Sequence, residues 1–208
     1  MSKIVIGVIG DSITNGYNDE EGLGWFGRMS QKIASNFTGQ FAFCNMAKSG
    51  DMVPDAYHRM AAETMTKSID ILLVMVGVND IIRSPNKEAG TSLSDYGRDR
   101  YWVKMLDVAN ASGAEVVVFD ILPSYEKALP FVCDRGELYF LNSDIEKHNQ
   151  LIENLCKERG MKFVKRYDDW LKKNLKNLYS DAVHPNAKGH QVIAEEVYEE
   201  LWRQGILK

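Results

Sequence analysis

Apolar residues along the 208-residue chain follow two patterns that take turns. Short, nearly continuous runs rich in β-branched residues predict strands buried on both faces of a parallel sheet. Longer stretches with an apolar residue every three or four positions predict helices with one buried face. The first run, residues 4–9, stops abruptly at Gly10-Asp11-Ser12. A helix is expected over 22–37, where Phe26, Met29, Ile33 and Phe37 share a face, and a second strand over 41–46. Then follow a helix over 53–65, a strand over 69–76, a helix over 93–111 and a strand over 115–122. Leu141, Ile145, His148, Ile152 and Leu155 mark another helix, which Gly160 closes. Residues 161–166 alternate apolar and basic side chains, as a strand with one wet face does at a sheet edge, and 186–202 form the last helix.

Strands and helices alternate from end to end, which predicts an α/β fold with helices on both faces of a parallel sheet. Right-handed crossovers then bring the carboxyl ends of the strands to one rim, where such sheets bind ligands. The length fits one domain over 1–208, with no internal repeat or linker. Two connections, 82–92 and 123–139, are long enough to suggest functional loops.

Composition narrows the function by exclusion. The formal charge of −4 and pI near 5.6 give no basic face, so nucleic acid is not an expected partner. The longest apolar run, residues 71–78, is too short to cross a bilayer, and membrane insertion is not expected. The first strand begins directly after Lys3, with no leader pattern and no small-residue cleavage site before Gly10-Asp11-Ser12, so a cytoplasmic location is expected. Cys44, Cys133 and Cys156 are too few and too scattered for a disulfide framework; Cys44 and Cys156 read as packing residues, and Cys133 falls in a loop. Nothing in the chain specifies an oligomeric state.

The chemistry concentrates in four clusters after strands or before helices. In the first, Ser12 reads as a nucleophile at the exit of a central strand; the competing reading is a turn serine that caps a helix. A phosphate-binding loop is excluded because no lysine follows the glycines. The dinucleotide fingerprint fails at Ile9, and the nucleophile elbow of α/β-hydrolases fails at Thr14. In the second cluster Gly50 can present a bare backbone N–H. In the third, Gly77-Val78-Asn79-Asp80, Asn79 offers an amide donor at the same rim, although Asn79 and Asp80 can also be read as turn caps. In the fourth, Asp181 and His184 stand three residues apart. A carboxylate so placed can accept the Nδ1 proton of the imidazole and leave Nε2 as a base. Pro185 then fixes the exit from His184.

Together these clusters resemble the SGNH hydrolases, the GDSL-type lipases and esterases. The resemblance rests on Gly10-Asp11-Ser12-Ile13, Gly50, Gly77-Val78-Asn79-Asp80 and Asp181-Ala182-Val183-His184-Pro185, in that order over most of the chain. It implies a three-layer α/β/α sandwich with a flavodoxin-like sheet of five parallel strands. It implies Ser12 as nucleophile, His184 as base and Asp181 as its orienting partner. The oxyanion hole would be the backbone N–H groups of Ser12 and Gly50 with the side chain of Asn79. Ala47 departs from a pattern that often has a second glycine near that position, which narrows the freedom of the loop but leaves Gly50 in place. The implied substrate is a small-molecule ester, and the chemistry needs neither metal nor cofactor. Activity is expected to rise as a group near the histidine reference value of about 6.5 loses its proton.

The remaining residues have plainer readings. Asp11 supports its turn, Asp80 caps, and His148 is a satisfied packing residue. Trp25 and Phe26 belong to the core, while Tyr17, Tyr125, Phe131 and Tyr139 are candidates to line a pocket. The alternative function is a non-catalytic flavodoxin-like module that binds phosphate or a nucleotide at the same rim. A metal-dependent phosphoesterase is disfavoured, because the histidines and cysteines lack ligand spacing.

Overall fold

A computed structural model describes residues 2–207. Five parallel strands form the main sheet: β1 (Ile4–Gly10), β2 (Phe41–Asn45), β3 (Ile71–Met75), β4 (Glu115–Phe119) and, last in sequence, β7 (Lys162–Val164). Their spatial order is β2-β1-β3-β4-β7, the flavodoxin-like order that the resemblance implies. β3 is buried along its whole length, as its continuous apolar run requires. β7 pairs with β4 alone, so the strand of alternating apolar and basic residues does lie at an edge.

The helices are α1 (Ser12–Asn15), α2 (Gly24–Asn36), α3 (Val53–Thr66), α4 (Asp95–Ala111), α5 (Asn142–Glu158), α6 (Tyr167–Leu171) and α7 (Ala187–Arg203). They cover the two faces of the sheet, with α2 packed on α7 and α3 on α4. Trp25, Trp102 and Trp170 are fully buried between helices and sheet, Trp25 and Phe26 lying in the core as expected. No helix among the described residues is long and apolar enough to cross a membrane.

Two regions depart from the sequence reading: the short helix α6, Tyr167–Leu171, and the 123–139 connection. The 123–139 connection contains an antiparallel hairpin of β5 (Phe131–Cys133) and β6 (Gly136–Leu138). Its Asp134-Arg135 turn followed by Gly136 at φ +96° is a hairpin signal, but strands of three residues are too short for periodicity to reveal.

Strand register sets where the chemistry lies. Gly10 pairs with Met75, so β1 and β3 end side by side at the point where the strand order reverses. Ser12 follows the first of these ends and Asn79 the second. A β-carbon on Gly10 would lie 2.4 Å from the side chain of Thr14 and 2.8 Å from the carbonyl oxygen of Met75, so only glycine lets the chain turn there.

Candidate active site

Asp11 caps the single turn of α1 by accepting the N–H of Ile13 at 3.0 Å, and Gly16 ends it at φ +83°. The turn presents Ser12 Oγ at 3.0 Å from His184 Nε2. His184 Nδ1 lies 2.8 Å from Asp181 Oδ2. The other oxygen of Asp181 accepts the backbone N–H groups of Val183, at 2.8 Å, and His184, at 2.7 Å. Since Oδ2 accepts from Nδ1–H, the network assigns a bare Nε2 facing the serine hydroxyl. Burial pushes the Asp181 carboxyl up, but the hydrogen bond and charge of His184 and the two N–H donors outweigh it and hold the group below the ordinary range.

The Asp181–His184 segment is a closed loop. Ser180 N–H donates to the carbonyl of His184 at 2.9 Å, and Tyr179 bridges to Pro185. Pro185 precedes α7, whose cap is Asn186, an acceptor for Gly189 N–H at 3.0 Å. The His184 ring is walled by Tyr17 at 4.6 Å and Phe131 at 5.5 Å between ring centres.

Gly50 and Asn79 reach the same cleft as Ser12 and His184. Gly50 sits at φ +87°, which glycine tolerates and a side chain strains. Among the described residues, no acceptor receives the backbone N–H of Ser12 or of Gly50. Asn79 Nδ2 donates one hydrogen to the carbonyl of Asp51 at 3.0 Å, which leaves its second hydrogen free to serve the cleft. The next residue, Asp80, does not cap its own turn. Its Oδ1 accepts the N–H of Val53 at 3.0 Å, across from another segment. Asn79 and Asp80 thus tie the Gly50 loop to the Gly77 turn at two adjacent points.

The cleft has a volume of about 420 Å3. Apolar walls from Val78, Phe131, Leu138, Phe140 and Val183 face the polar group of Ser12, Gly50, Asn79 and His184. Tyr17 and Phe131 line it as anticipated; Tyr125 and Tyr139 do not. Cys133 also lines it, from a strand rather than a loop. A larger groove of about 610 Å3 follows the β7 edge and shares no residue with this cleft. Two ion pairs lie within it, Lys165 with Glu153 at 2.6 Å and Arg203 with Glu200.

Beneath the cleft lie titratable groups whose burial disfavours the charged form. Burial raises Asp11 to about 6 and Asp80 to about 7. Burial, helped by the charge of Arg98, lowers His148 to about 3. His148 and Asp80 are 3.9 Å apart, yet a neutral imidazole makes no ion pair with the carboxyl. His148 is not fully satisfied either: Nε2 accepts Trp102 Nε1–H at 2.7 Å, while Nδ1 finds no partner among the described residues. Because the folded pKa of Asp80 exceeds its unfolded value of 3.8, its contribution to stability is complete below about pH 4 and is lost as pH rises through 7. Asp80→Asn, which keeps an oxygen for Val53, is therefore expected to gain on the parent protein between pH 5 and pH 8. The gain grows by about 1.4 kcal/mol for each pH unit over which the folded carboxyl keeps its proton and the unfolded one does not. Thermal melts of both proteins at the two pH values measure it, and parallel curves would show that Asp80 ionises freely in the fold.

The residues that sequence reasoning passed over are Asn18, whose Nδ2 donates to Asp181 Oδ2 at 2.8 Å, and the hairpin that carries Phe131 to the histidine. Only the turn chemistry of the hairpin was visible beforehand.

Comparison with known proteins places the chain in a family. Residues 8–192 match the model of the GDSL-like lipase/acylhydrolase family. An acetylxylan esterase of Geobacillus stearothermophilus is 23% identical over 215 residues, covering 93% of this chain and 91% of that protein. The acetyl xylan esterase AlAXEase superposes with a TM-score of 0.76 at 22% identity, covering 95% of this chain and all (100%) of the other. A lipase/acylhydrolase of Enterococcus faecalis does so with a TM-score of 0.78 at 18% identity, covering 99% and 97%. Matched by its family model across most of its length, the chain belongs to the GDSL-like lipase/acylhydrolase family and is a carboxylic ester hydrolase.

Proposed function

We propose that this one-domain protein, over residues 1–208, cleaves short-chain acyl esters, acetyl esters above all, of small soluble substrates through an acyl-enzyme on Ser12. The observation that carries the mechanism is the line from Ser12 Oγ to His184 Nε2, at 3.0 Å, and from His184 Nδ1 to Asp181, at 2.8 Å. A serine hydroxyl is a weak nucleophile until a base takes its proton. His184 takes it as Ser12 Oγ bonds to the ester carbonyl carbon. The carbonyl oxygen becomes an oxyanion, which the N–H groups of Ser12 and Gly50 and the Asn79 amide receive. Preorganised donors of this kind are each worth about 10²–10³ in rate. As the carbonyl re-forms, the bond to the alcohol oxygen breaks and His184 hands that oxygen its proton. Water then repeats the sequence on the acyl-serine, with His184 again as base, and releases the acid.

Two observations support a short acyl group. A cleft of about 420 Å3 must hold the acyl and alcohol parts together, and Phe131 of the hairpin stands directly against the catalytic base. The relatives named as acetyl xylan esterases point the same way. The test is a series of 4-nitrophenyl esters from acetyl to dodecanoyl, run beside acetylated xylo-oligosaccharides. kcat/KM is expected to be highest at two to four acyl carbons and to fall about tenfold or more by eight, as chains outgrow the cleft. A rise towards long chains would overturn the short-chain assignment. A fluorophosphonate probe is expected to label Ser12 alone.

A further inference from the structure

Asp181 has four places for hydrogen-bond donors on its two oxygens, and all four are filled. Two are the backbone N–H groups of Val183 and His184, and the third is His184 Nδ1–H. The fourth is the side-chain amide of Asn18, at 2.8 Å on the same Oδ2 that receives Nδ1–H. Asn18 lies 163 residues away in sequence, so its presence there is a matter of construction.

The loop that delivers it is built around the next residue. Asp19 has a fully buried side chain that pairs with the Arg28 guanidinium of α2. It also accepts the N–H groups of Glu21, Leu23 and Gly24. The Arg28 hydrogen bond holds this carboxyl far below the ordinary range, so the anchor stays charged throughout the working pH range. Gly16 and Gly24 touch closely enough that a β-carbon on either would come within 3.0 Å of the other's backbone. Asn18 itself adopts the left-handed region at φ +62°, which asparagine tolerates better than most residues. The same loop lays Tyr17 on the His184 ring.

We propose that Asn18 is a positioning residue: the Asp19–Arg28 anchor fixes its amide on Asp181 Oδ2, where it orients the carboxylate and tempers the hold of that carboxylate on the His184 proton. The inference rests on the triad proposed above. Its sign follows from electrostatics. An N–H donor stabilises the carboxylate charge and so weakens its attraction for an imidazolium. Removing the donor lets His184 keep its proton to higher pH, and the acid limb of the pH–rate profile moves up. The other titratable groups that face this pair are Asp11 before α1, Tyr17 on the loop, Tyr179 and His190 behind it, and Cys133, Asp134 and Arg135 on the hairpin.

Two variants separate this role from simple loop stability. Asn18→Gly keeps the left-handed backbone free of strain and loses only the amide. Asn18→Asp keeps the size of the side chain and sets a carboxylate against Asp181. With 4-nitrophenyl acetate as probe, the acid-limb midpoint of kcat/KM is expected to rise by roughly half a pH unit in Asn18→Gly and by more in Asn18→Asp. The limiting kcat is expected to fall about three- to tenfold, with KM little changed. A downfield proton resonance from Nδ1–H, expected in the parent protein, should shift in both variants. Midpoints and resonance that match the parent protein in both variants would overturn the proposal, whatever happens to stability. Ser12→Ala is the separate control: if it retains activity, the triad reading fails, and with it the ground for this inference.

Discussion

Ser12→Ala is expected to lower kcat/KM for 4-nitrophenyl acetate by about 10⁴-fold or more, with the melting temperature almost unchanged. Among the described residues the hydroxyl makes a single hydrogen bond, to His184 Nε2, and that residue lines a cleft where water can replace it. Alanine also suits the first turn of a helix, so α1 should survive. The expected loss is large because attack by Ser12 is the first covalent event. Without the hydroxyl, the oxyanion donors have only a weakly activated water to assist. Asp181→Asn should lose a comparable factor for another reason: its amide would face Nδ1 with N–H or hold the imidazole in the wrong tautomer. Steady-state kinetics and thermal melts on the three proteins decide the matter. Substantial turnover in Ser12→Ala would transfer the chemistry to another group, and a collapse of the fold would show that Ser12 is structural.

The second large effect is expected at a residue that touches no substrate. A β-carbon on Gly189 would lie 2.2 Å from the carbonyl oxygen of Leu178 and 2.8 Å from Pro185 Cβ. That carbonyl is held in place by the N–H of Asn186, at 2.9 Å, and it helps to close the loop that bears Asp181 and His184. Gly189→Ala therefore forces apart α7 and the segment before it. Overpacking of this kind costs about 2–3 kcal/mol, or roughly 5–10 °C in melting temperature for a chain of this size. Pro185 is bonded directly to His184, so the displacement reaches the base. A displacement near 1 Å there should lower kcat by about 10²-fold even at temperatures where the variant is fully folded. An unchanged melting temperature with unchanged kcat would mean that Leu178 moves away without disturbing the histidine.

These two expectations differ in how far the chain by itself announces them. Ser12 stands in a motif whose glycine, aspartate and serine are adjacent, and local rules suffice to see a strand that ends in a tight turn. The sheet was legible for the same reason. Whether residues 71–75 are apolar throughout is settled by neighbours one or two positions away. The spacing of Asp181 and His184 is likewise a local fact, and it led directly to a carboxylate facing Nδ1. Gly189 is different: one more small residue near a helix start, it gains importance only because Leu178 is folded back onto it.

The plain readings that needed correction failed in the same way. Asp80 looked like a cap because its sequence neighbours form a turn, yet its partner is the N–H of Val53, 27 residues earlier. His148 looked satisfied because it falls on a helix stripe, yet one ring nitrogen has no partner within the described core. The β5–β6 hairpin was hidden because each strand has three residues, too few to establish a period of two.

The sequence by itself determined the order of the sheet strands and the long helices, the parallel sheet, the rim at which chemistry gathers and the residue types present there. Hydrophobic period, turn chemistry and motif spacing all act over a few residues, so a linear string carries them in full. The tertiary structure decided which of those residues meet: Ser12 with His184 across 172 positions, Asn18 with Asp181 across 163, and Phe131 with the histidine ring. Those meetings depend on strand register, on the point where the strand order reverses and on one buried Asp19–Arg28 anchor. Each is fixed by the packing of the whole molecule, and no short stretch of sequence contains it.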